Sequence, residues 1–479
     1  MNDQRLRLRD DVRLDLGHDD KTRFGSAITG MFDRLIQKVC HPIAGHLARE
    51  VHEPTAEQSA KLMAQCLGPQ ALGALFERPE RLREECLHPR PQDVVPVTLR
   101  VSGAGVPGTR SVIPLPPPIV PELARWIGEW SMPSSAPRGG VARALWDTLA
   151  EQGALTSSAP LQPPGGDGIT FVGHATVSIA REGTRILFDP FLLPPPHVGS
   201  GELRPMAPAQ LRPHAVFITH SHPDHYDLGS LLRLGADTPV YVPVVERESL
   251  FAIDMATRLR GLGFRNVRSL AWGEAVRVGP HRVWAQPFWG EQPTDGEFLH
   301  SRCRNAGNVY VADSGGARVA LVADAGRDHG GSCIGLAAQL RRQQGPVDVV
   351  LGGYRAWRLR PIRYLGTSVA RYMLSIPRKQ WGRRMQLMND ADDLLETATV
   401  WGARSVVPYA NGGAPWYWDI GLGPRPGSTT DDPDFDPSAD TLERALERRL
   451  LDGQPTPRIE WLEPGQRMPL HRPRAVTAA

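Results

Sequence analysis

Short apolar runs alternate with helix-like segments through the later part of the chain. The runs predict strands at residues 169–172, 176–180, 185–189, 215–219, 239–242, 282–286, 308–312, 319–323 and 347–352. Apolar positions at helical spacing predict helices at residues 228–234, 246–262 and 334–344. Strands that alternate with helices and hairpins are typical of layered α/β domains, so the pattern predicts an αββα sandwich.

Residues 1–160 have a different pattern. Apolar positions at helical spacing dominate residues 28–39 and 62–76, and the same spacing returns at residues 121–130. A strand-like run at residues 94–101 interrupts them. This part of the chain is therefore predicted to be a mostly helical α+β accessory domain.

A segment rich in proline, glycine and small polar residues, at residues 157–167, separates the two patterns and has the chemistry of a linker. The predicted domains are the accessory domain, residues 1–160, and a catalytic domain, residues 168–479. Two domains fit a chain of 479 residues, since a single core rarely exceeds about 250–300 residues. The accessory domain could support a homodimer, control substrate access or dock a partner.

Composition excludes several classes of function. The formal net charge is only +3 and no basic block is present, so no nucleic-acid partner is expected. No run approaches the roughly 20 apolar residues of a membrane span, and the charged N-terminus does not read as a secretory signal. The five cysteines are far apart and none lies in a CxxC pair. We therefore expect no disulfide framework or thiolate zinc site, and a reducing cytoplasm.

Four potential metal ligands follow the predicted strand at residues 215–219. The run is His220-Ser221-His222-Pro223-Asp224-His225. His220 and His222 point the same way from an extended segment and can share one metal ion. Asp224 and His225 can reach a second ion about 3.5–4 Å away. Imidazole and carboxylate suit zinc, iron or manganese, and a strand C-terminus is where α/β proteins bind ligands.

Two aspartates follow other apolar strands and support the same site. Asp189 ends the run RILFDP, where its carboxylate can hold the second ring nitrogen of a ligand histidine. A turn aspartate before proline is the alternative interpretation of Asp189. Asp324 ends the strand of VALVADAG, and its carboxylate could bridge two metal ions.

These motifs resemble the metallo-β-lactamase superfamily. The similar segments are FVGHATVSI (171–179), ILFDP (186–190), THSHPDH (219–225) and ADAG (323–326). They are most similar to the branch of the N-acylphosphatidylethanolamine phospholipase D and ascorbate-phosphate lactonase types. The resemblance covers residues of about 168–420 and implies a dinuclear metal site with Asp324 as a bridging ligand.

The resemblance also implies two further histidine ligands, and the sequence departs from it at both. In the first region, VWAQPFWGEQPTD, the available donor is Glu291, with His300 as its competitor. In the second region, residues 381–413, no histidine occurs and Asp390 is the strongest donor. Asp390 could equally be the N-cap of the helix that follows it.

The complete predicted ligand set is His220, His222, Asp224, His225, Glu291, Asp324 and Asp390. This set is rich in carboxylate, which favours iron or manganese over zinc. It resembles the family of the diiron β-hydroxylase of chloramphenicol biosynthesis, which has a glutamate at the third position and an extra N-terminal domain. The resemblance implies two iron ions, O2 as co-substrate, an external electron donor or reductase, and an amino acid substrate tethered to a peptidyl carrier protein. Glu291 and Asp324 are then the predicted catalytic ligands. The family's last ligand is a histidine, which this chain lacks.

Other side chains near these motifs are candidates for the surroundings of the metals. His174 is predicted to lie beneath the site as a supporting residue. Tyr226, Phe288 and Trp289 would form a dry wall, and Trp416 the pocket mouth, although ordinary core packing explains each equally simply. An arginine cluster would suit docking of an acidic carrier protein, with a solvated face as the alternative; it comprises Arg355, Arg358, Arg360 and Arg363.

Two further hypotheses remain open at this stage. The chain could be a dizinc or dimanganese hydrolase of a phosphodiester or lactone, in which a bridging hydroxide attacks the substrate. It could also be a degenerate member that keeps the fold, has lost the second metal and acts as a binding or scaffold protein. The missing histidines argue against the hydrolase, and the retained run from His220 to His225 argues against the degenerate member.

Overall fold

The structure is a computed structural model of the whole chain. It describes residues 6–9, 13–18, 97–102, 111–115, 139–151, 153–157, 165–192, 206, 208–222, 224–246, 248, 252–292, 304–358, 360–361, 376, 380–410, 437 and 439–470.

The elements follow one another in three groups. The first contains β1 (Arg7–Leu8), β2 (Arg13–His18), β3 (Val97–Ser102), β4 (Ser111–Leu115), α1 (Gly140–Glu151) and β5 (Leu155–Thr156). The second contains β6 (Gly168–Gly173), β7 (Thr176–Arg181), β8 (Thr184–Phe188), α2 (Pro208–Leu211), β9 (Ala215–Phe217), α3 (Leu228–Leu234), β10 (Val240–Pro243), α4 (Met255–Gly261) and β11 (Val267–Leu270). The third contains β12 (Ala275–Val278), β13 (His281–Pro287), β14 (Asn308–Ser314), β15 (Ala317–Ala323), β16 (Arg327–Asp328), β17 (Gly331–Ser332), α5 (Cys333–Gln344), β18 (Val349–Gly352), α6 (Ala391–Trp401), β19 (Ser405–Pro408), α7 (Ala439–Leu451), β20 (Arg458–Ile459) and β21 (Arg467–Met468).

Two seven-stranded mixed sheets form the centre of the molecule. The first has the strand order β11-β10-β9-β8-β7-β6-β21 and the second has the order β12-β13-β14-β15-β18-β19-β20. In the first sheet, β8, β9 and β10 are parallel, and in the second, β15, β18 and β19 are parallel. The carboxyl ends of each parallel set therefore meet at one edge of their sheet.

Alternating side chains on the central strands bury both faces of each sheet. On β9, Ala215 and Phe217 belong to the apolar core between the sheets, whereas Val216 packs in the core with α3 and α4. On β15, Leu321 belongs to the core between the sheets and Val322 to the core with α5 and α6. Helices thus cover the outer face of each sheet, and the predicted αββα sandwich is confirmed.

The nine predicted strands correspond to β6–β10, β13–β15 and β18. Two predicted helices correspond to α3 and α5, but the prediction of one helix over residues 246–262 is wrong. The helix α4 begins only at Met255, because the side chain of Asp254 accepts a hydrogen bond from Thr257 N (3.0 Å) and caps it. In the two seven-stranded sheets, five strands were not predicted, since each has at most four residues and none has three apolar residues in a row: β11, β12, β19, β20 and β21.

The described part of the accessory domain contains a three-stranded antiparallel sheet, β2-β3-β4, and the helix α1. Leu8 and Leu149 belong to the same apolar core as Leu228 and Leu231 of α3, so this part packs directly against the first sheet's helical layer. The helices predicted at residues 28–39, 62–76 and 121–130 lie outside the described residues, and the domain boundary near residue 160 stays a prediction. In the described part of the chain, no helix is both long and apolar enough to cross a membrane.

Candidate metal centre

Chain segments from both sheets bring potential ligands to one edge of the sandwich. Asp189 and His220 follow the parallel neighbours β8 and β9, and Asp324 follows β15. Glu291 follows β13, which runs in the same direction as β15 because both pair antiparallel with β14. The edge at which strands end is the usual ligand site of α/β sheets, and here it gathers histidines and carboxylates from distant parts of the chain.

The first cluster consists of His220, His222 and Glu291, all of them buried. Glu291 Oε2 lies 2.9 Å from Nε2 of His220 and 3.1 Å from Nδ1 of His222, and these two nitrogens are 3.2 Å apart. Three donor atoms that converge in this way can hold one metal ion. The structure therefore brings Glu291 to the place where the superfamily resemblance implies a histidine. His300, the competing candidate, lies outside the described residues.

The second cluster combines His225 with the carboxylates of Asp224 and Asp324. His225 Nε2 lies 3.1 Å from Asp324 Oδ2 and 3.8 Å from Asp224 Oδ2. His225 and Asp324 also form a group with His220, within 4.8 Å of one another. The two clusters thus adjoin through His220, and the bridging role of Asp324 stays a prediction.

Asp189 orients the two central imidazoles through one hydrogen-bonded chain. Its Oδ2 accepts from Nδ1 of His225 (2.8 Å) and from the hydroxyl of Thr219 (2.6 Å). The Thr219 oxygen lies 3.0 Å from Nδ1 of His220 and can accept its proton. Because both Nδ1 atoms are engaged, both Nε2 atoms face the cluster, which is the usual arrangement behind metal-bound histidines.

His174 lies beside the second cluster. Its buried ring places Nε2 2.9 Å from Oδ2 of Asp224, and its centroid is 5.3 Å from that of His225. The three residues also form a third group that could hold a metal ion. The contact with Asp224 is what a supporting residue requires, and that role for His174 stays a prediction.

Mutual charge governs protonation in both clusters. Burial alone would raise the pKa of Glu291, but the charges of His222 and His220 outweigh burial and hold the pKa below its ordinary value. Burial would lower the pKa of His225, yet the charges of Asp324 and Asp224 raise this pKa well above its usual range. Histidine and carboxylate therefore stabilise each other's charged forms at this edge.

Several residues of the site have backbone conformations that amino acids with side chains rarely adopt. Positive φ angles occur at His174 (44°), Asp189 (44°), Ala323 (48°) and Glu291 (51°). Such conformations are unfavourable by about 1–3 kcal/mol each and persist only where surrounding contacts hold them. Among the described residues, four of the eight non-glycine positions with positive φ thus belong to this edge, and such strain is frequent at functional sites.

Asp390 does not join the clusters. Its Oδ1 accepts a hydrogen bond from Asp393 N (2.9 Å) and its Oδ2 is bonded to Arg358. The side chain of Asp393 accepts in return from Asp390 N (3.2 Å), which completes a capping box at the start of α6. The structure therefore supports the helix-cap interpretation and not the metal-ligand prediction, because one oxygen of the Asp390 carboxylate caps the helix and the other pairs with Arg358.

Arg363, the last of the predicted arginine cluster, lies outside the described residues.

The candidate aromatic residues have different surroundings. The buried ring of Phe288 packs 5.2 Å from the ring of His220, between the cluster and the core under α5 and α6. Trp289 packs instead against Trp272, with ring centroids 5.2 Å apart. Tyr226 is buried in the core with α3 and α4. Trp416 lies outside the described residues.

The sequence interpretation missed residues that support the ligands. Thr219, next to His220, links it to Asp189, and Asn305 Nδ2 lies 3.5 Å from Oε2 of Glu291. The adjacency of Thr219 to the histidine run was a usable signal. No local pattern marks Asn305, since its role depends on contacts across the loop after β13.

The described residues that follow β19 offer no further metal ligand to the second cluster. This strand lies two places from β15 in the same sheet and ends at the same edge. The residues that follow it are Tyr409 and Ala410, neither of which carries an imidazole or a carboxylate. The sequence lacks the final histidine of the family, and these two residues do not replace it.

Comparison with known proteins supports the fold. Residues 184–409 match the family model described as a beta-lactamase superfamily domain. The crystal structure of CmlA, a diiron beta-hydroxylase from Streptomyces venezuelae, matches with a TM-score of 0.62 and 19% identity. That match covers 97% of this chain and 99% of CmlA. At this identity, the likeness establishes the fold.

Curated relatives match by sequence over shorter segments. One is the 4-amino-L-phenylalanyl-[CmlP-peptidyl-carrier-protein] 3-hydroxylase of Streptomyces venezuelae, 34% identical over 140 residues, which are 29% of this chain and 26% of that enzyme. Another is a UPF0173 metal-dependent hydrolase of Methanopyrus kandleri, 27% identical over 133 residues, 27% of this chain and 51% of the hydrolase. The chain thus spans a quarter to a half of these relatives. Residues 184–409 are thus similar to a beta-lactamase superfamily domain, and the chain has the metallo-β-lactamase fold.

Proposed function

We propose that this protein is a dinuclear iron hydroxylase that uses O2 to hydroxylate an unactivated C–H group of a biosynthetic substrate. The observation that carries the proposal is the position of Glu291, whose carboxylate lies between His220 and His222. A third histidine at this position would suit zinc, whereas a carboxylate shifts the preference toward iron or manganese.

The donor chemistry fits two metal ions. The two clusters offer three imidazoles and three carboxylates, and most of these groups are almost completely buried. Asp324 Oδ1 is buried and accepts no hydrogen bond from any described residue, while Oδ2 faces His225. A buried carboxylate oxygen without a partner is costly unless a cation binds it, so Asp324 is suited to bridge the ions.

Each residue of the site has a defined task under this proposal. His220, His222 and Glu291 would hold one ion, and Asp224, His225 and Asp324 would hold the other. Asp189 keeps the His225 ring oriented, and the Phe288 ring shields His220 from water. Bound iron, reduced by an external electron donor, supplies the activation of O2.

The proposed substrate is an amino acid tethered to a peptidyl carrier protein, with an external reductase as the second partner. The 34% identity with a carrier-protein-dependent hydroxylase and the full-length fold likeness to CmlA support this choice. Arg355 and Arg360, both half-buried, lie on the segment after β18, which begins with a hydrogen bond from Gly353 N to Ala323 O (2.9 Å) beside Asp324. They would give an acidic carrier protein a basic surface.

A dizinc or dimanganese hydrolase of phosphodiesters or lactones is the second candidate. The UPF0173 hydrolase of Methanopyrus kandleri, with 27% identity over 133 residues, favours it. In that case, His220, His222 and Glu291 would hold a metal ion that activates water rather than O2.

The test is to purify the full chain anaerobically, quantify bound metals by mass spectrometry, and record the absorption spectrum before and after air. We expect two irons per chain and the near-ultraviolet charge-transfer absorption of a ferric pair. With a chemically reduced sample, an aminoacyl carrier protein should gain one oxygen atom in intact-mass analysis. Two zincs together with turnover of a phosphodiester would overturn the proposal in favour of hydrolysis, and substoichiometric metal would favour a degenerate member.

A pair of substitutions tests the part played by Glu291 itself. Glu291→His restores the donor type of a hydrolase, so the zinc-to-iron ratio of the purified protein should rise. Glu291→Gln removes the charge without adding an imidazole and serves as the matched control. It should lower total metal content without favouring zinc. Equal metal preference in both variants would show that the carboxylate does not select the metal.

A further inference from the structure

The loop that carries Glu291 is held in an unfavourable conformation. Gly290 has a φ of +98° and Glu291 a φ of +51°. A side chain at Gly290 would collide with the carbonyl oxygen of Leu387, which itself accepts a hydrogen bond from Glu291 N (2.9 Å). The Glu291 carboxylate reaches His220 only while other contacts keep this loop in place.

An ion pair between Arg304 and Asp328 supplies such contacts. Asp328 Oδ2 accepts a hydrogen bond from Gly290 N (3.0 Å) and binds the Arg304 guanidinium. The same Arg304 nitrogen donates to the carbonyl oxygen of Phe288 (2.9 Å). Two main-chain groups of the loop, at positions 288 and 290, are thus fastened to one pair. The Asp328 side chain is only 1% exposed, so the pair is shielded from solvent.

Two tryptophans cover the pair. The Arg304 guanidinium lies 4.9 Å from the ring centroid of Trp289 and 5.7 Å from that of Trp272. Trp289 leaves room only for glycine at positions 330 and 331, where a side chain would collide with its ring. A cation that lies over two aromatic rings is restrained in position and attracted by both. We call Arg304, Asp328, Trp272 and Trp289 the Arg304 clamp.

The clamp also connects the two clusters of ligands. Asp328 belongs to the hairpin β16–β17, which begins three residues after Asp324, and Gly326 N donates to the carbonyl oxygen of Trp289 (2.7 Å). The next residue after Arg304, Asn305, is bonded to Gln292 beyond the ligand (Asn305 N to Oε1, 3.0 Å). The loop of Glu291 is therefore held on both sides of the ligand, from the segment that carries Asp324 and from residues 304–305.

We infer that the Arg304 clamp is a positioning device that sets the Glu291 carboxylate against His220 and His222 and thereby determines the affinity of that metal position. Arg304 and Asp328 bond to the main chain of the Glu291 loop, at Phe288 O and Gly290 N, and would act on the ligand through that main chain. The inference rests on the metal site proposed above but not on the reaction that the site performs.

The experiment titrates the metal-free full-length protein with Co²⁺ against a chromophoric chelator and follows the visible d–d bands of the bound ion. Glu291→Gln first identifies the binding step that depends on Glu291. We expect Arg304→Gln and Asp328→Asn to weaken that same step by about 10- to 100-fold, the usual effect of residues behind a ligand. The other step, which does not depend on Glu291, should change much less. Arg304→Lys keeps the positive charge but not the planar guanidinium with its several N–H donors, and should retain part of the affinity that Arg304→Gln loses.

Arg282→Gln is the matched control. Arg282 is exposed on β13, the strand that leads into the loop, and lies 4.7 Å over the ring of Trp284. The control removes the same charge and the same type of stacking, away from Glu291, and should leave both binding steps unchanged. Circular dichroism establishes that each variant is folded. If Arg304→Gln does not fold, Asp328→Asn, which keeps the shape of the side chain, gives the decisive titration.

A double substitution separates positioning from general destabilisation. If the clamp acts through Glu291, adding Arg304→Gln to Glu291→Gln should cause no further loss of Co²⁺ affinity. An additional loss, equal weakening of both steps, or no effect of the single substitutions would overturn the inference. Wild-type protein that binds no metal would overturn the metal site and this inference together. Wild-type protein with two zincs would overturn only the proposed hydroxylase.

Discussion

The role of Asp390 gives the sharpest test of the distinction between a helix cap and a metal ligand. Asp390→Ala removes the carboxylate that accepts from Asp393 N and that binds Arg358 at the start of α6. It leaves His225 and Asp324 untouched, and both of these side chains are buried. We therefore expect the substitution to lower stability and to leave metal content unchanged.

The magnitude follows from the contacts that are lost. Replacing an N-cap aspartate by alanine destabilises a protein by about 0.5–2 kcal/mol. The ion pair with Arg358 adds about 0.2–1 kcal/mol, since the arginine side chain is 42% exposed and solvent weakens the attraction. Part of this loss is offset, because burial and then the charge of Asp390 raise the pKa of Asp393, and the substitution relieves that repulsion. The net loss should be about 1–2 kcal/mol.

The assay combines urea unfolding of the metal-free protein with metal quantification of the loaded protein. Asp254→Ala is the matched control, because Asp254 caps α4 through Thr257 N (3.0 Å), in a different part of the sandwich from the metal clusters. Both variants should lose a similar amount of stability and keep the wild-type metal content. Loss of one metal ion from Asp390→Ala alone, with stability little changed, would refute the capping interpretation and restore Asp390 as a ligand.

Four further substitutions test other parts of the structure. Asp189→Asn should lower metal affinity about 10- to 100-fold, because it removes the acceptor that orients His225; unchanged affinity in a chelator titration would contradict this role. Asp324→Asn should reduce the metal content by at least one ion per chain, measured by mass spectrometry, and a full complement would exclude Asp324 as a bridging ligand. Gly290→Ala should lower the free energy of unfolding by at least about 1–3 kcal/mol, measured by urea unfolding, since φ is +98° there and the added Cβ would collide with the carbonyl oxygen of Leu387. His281→Gln should flatten the pH dependence of stability below about pH 6.5. Burial lowers the pKa of His281, so the unfolded chain takes up a proton first and the wild type loses stability as the pH falls. An unchanged profile from urea unfolding at several pH values would contradict this assignment.

Much of the fold was predictable because its signals are local. Each central strand is a short apolar run that ends in turn residues, and both faces of each sheet are buried, so β6–β10 and β13–β15 could be placed from their own residues. The short strand β19 was not predicted, since only two of its four residues, Val406 and Val407, are aliphatic, whereas the equally short β10 has three apolar residues in a row. This segment is a strand because its main chain pairs in parallel with the neighbouring strand β18.

By itself, the sequence determined the strand pattern and the donor types of the His220–His225 run, since spacing within six residues requires no knowledge of distant contacts. Only the tertiary structure decided how the other residues are used. Glu291 lies against His220 across 71 positions of the chain, and Asp390 caps a helix instead of joining the cluster. The clamp of Arg304 on Asp328 likewise depends on the pairing of separate loops. A side chain's type sets what it can bind, but its partner is chosen by folding, because the competing contacts of a carboxylate come from segments far apart in sequence.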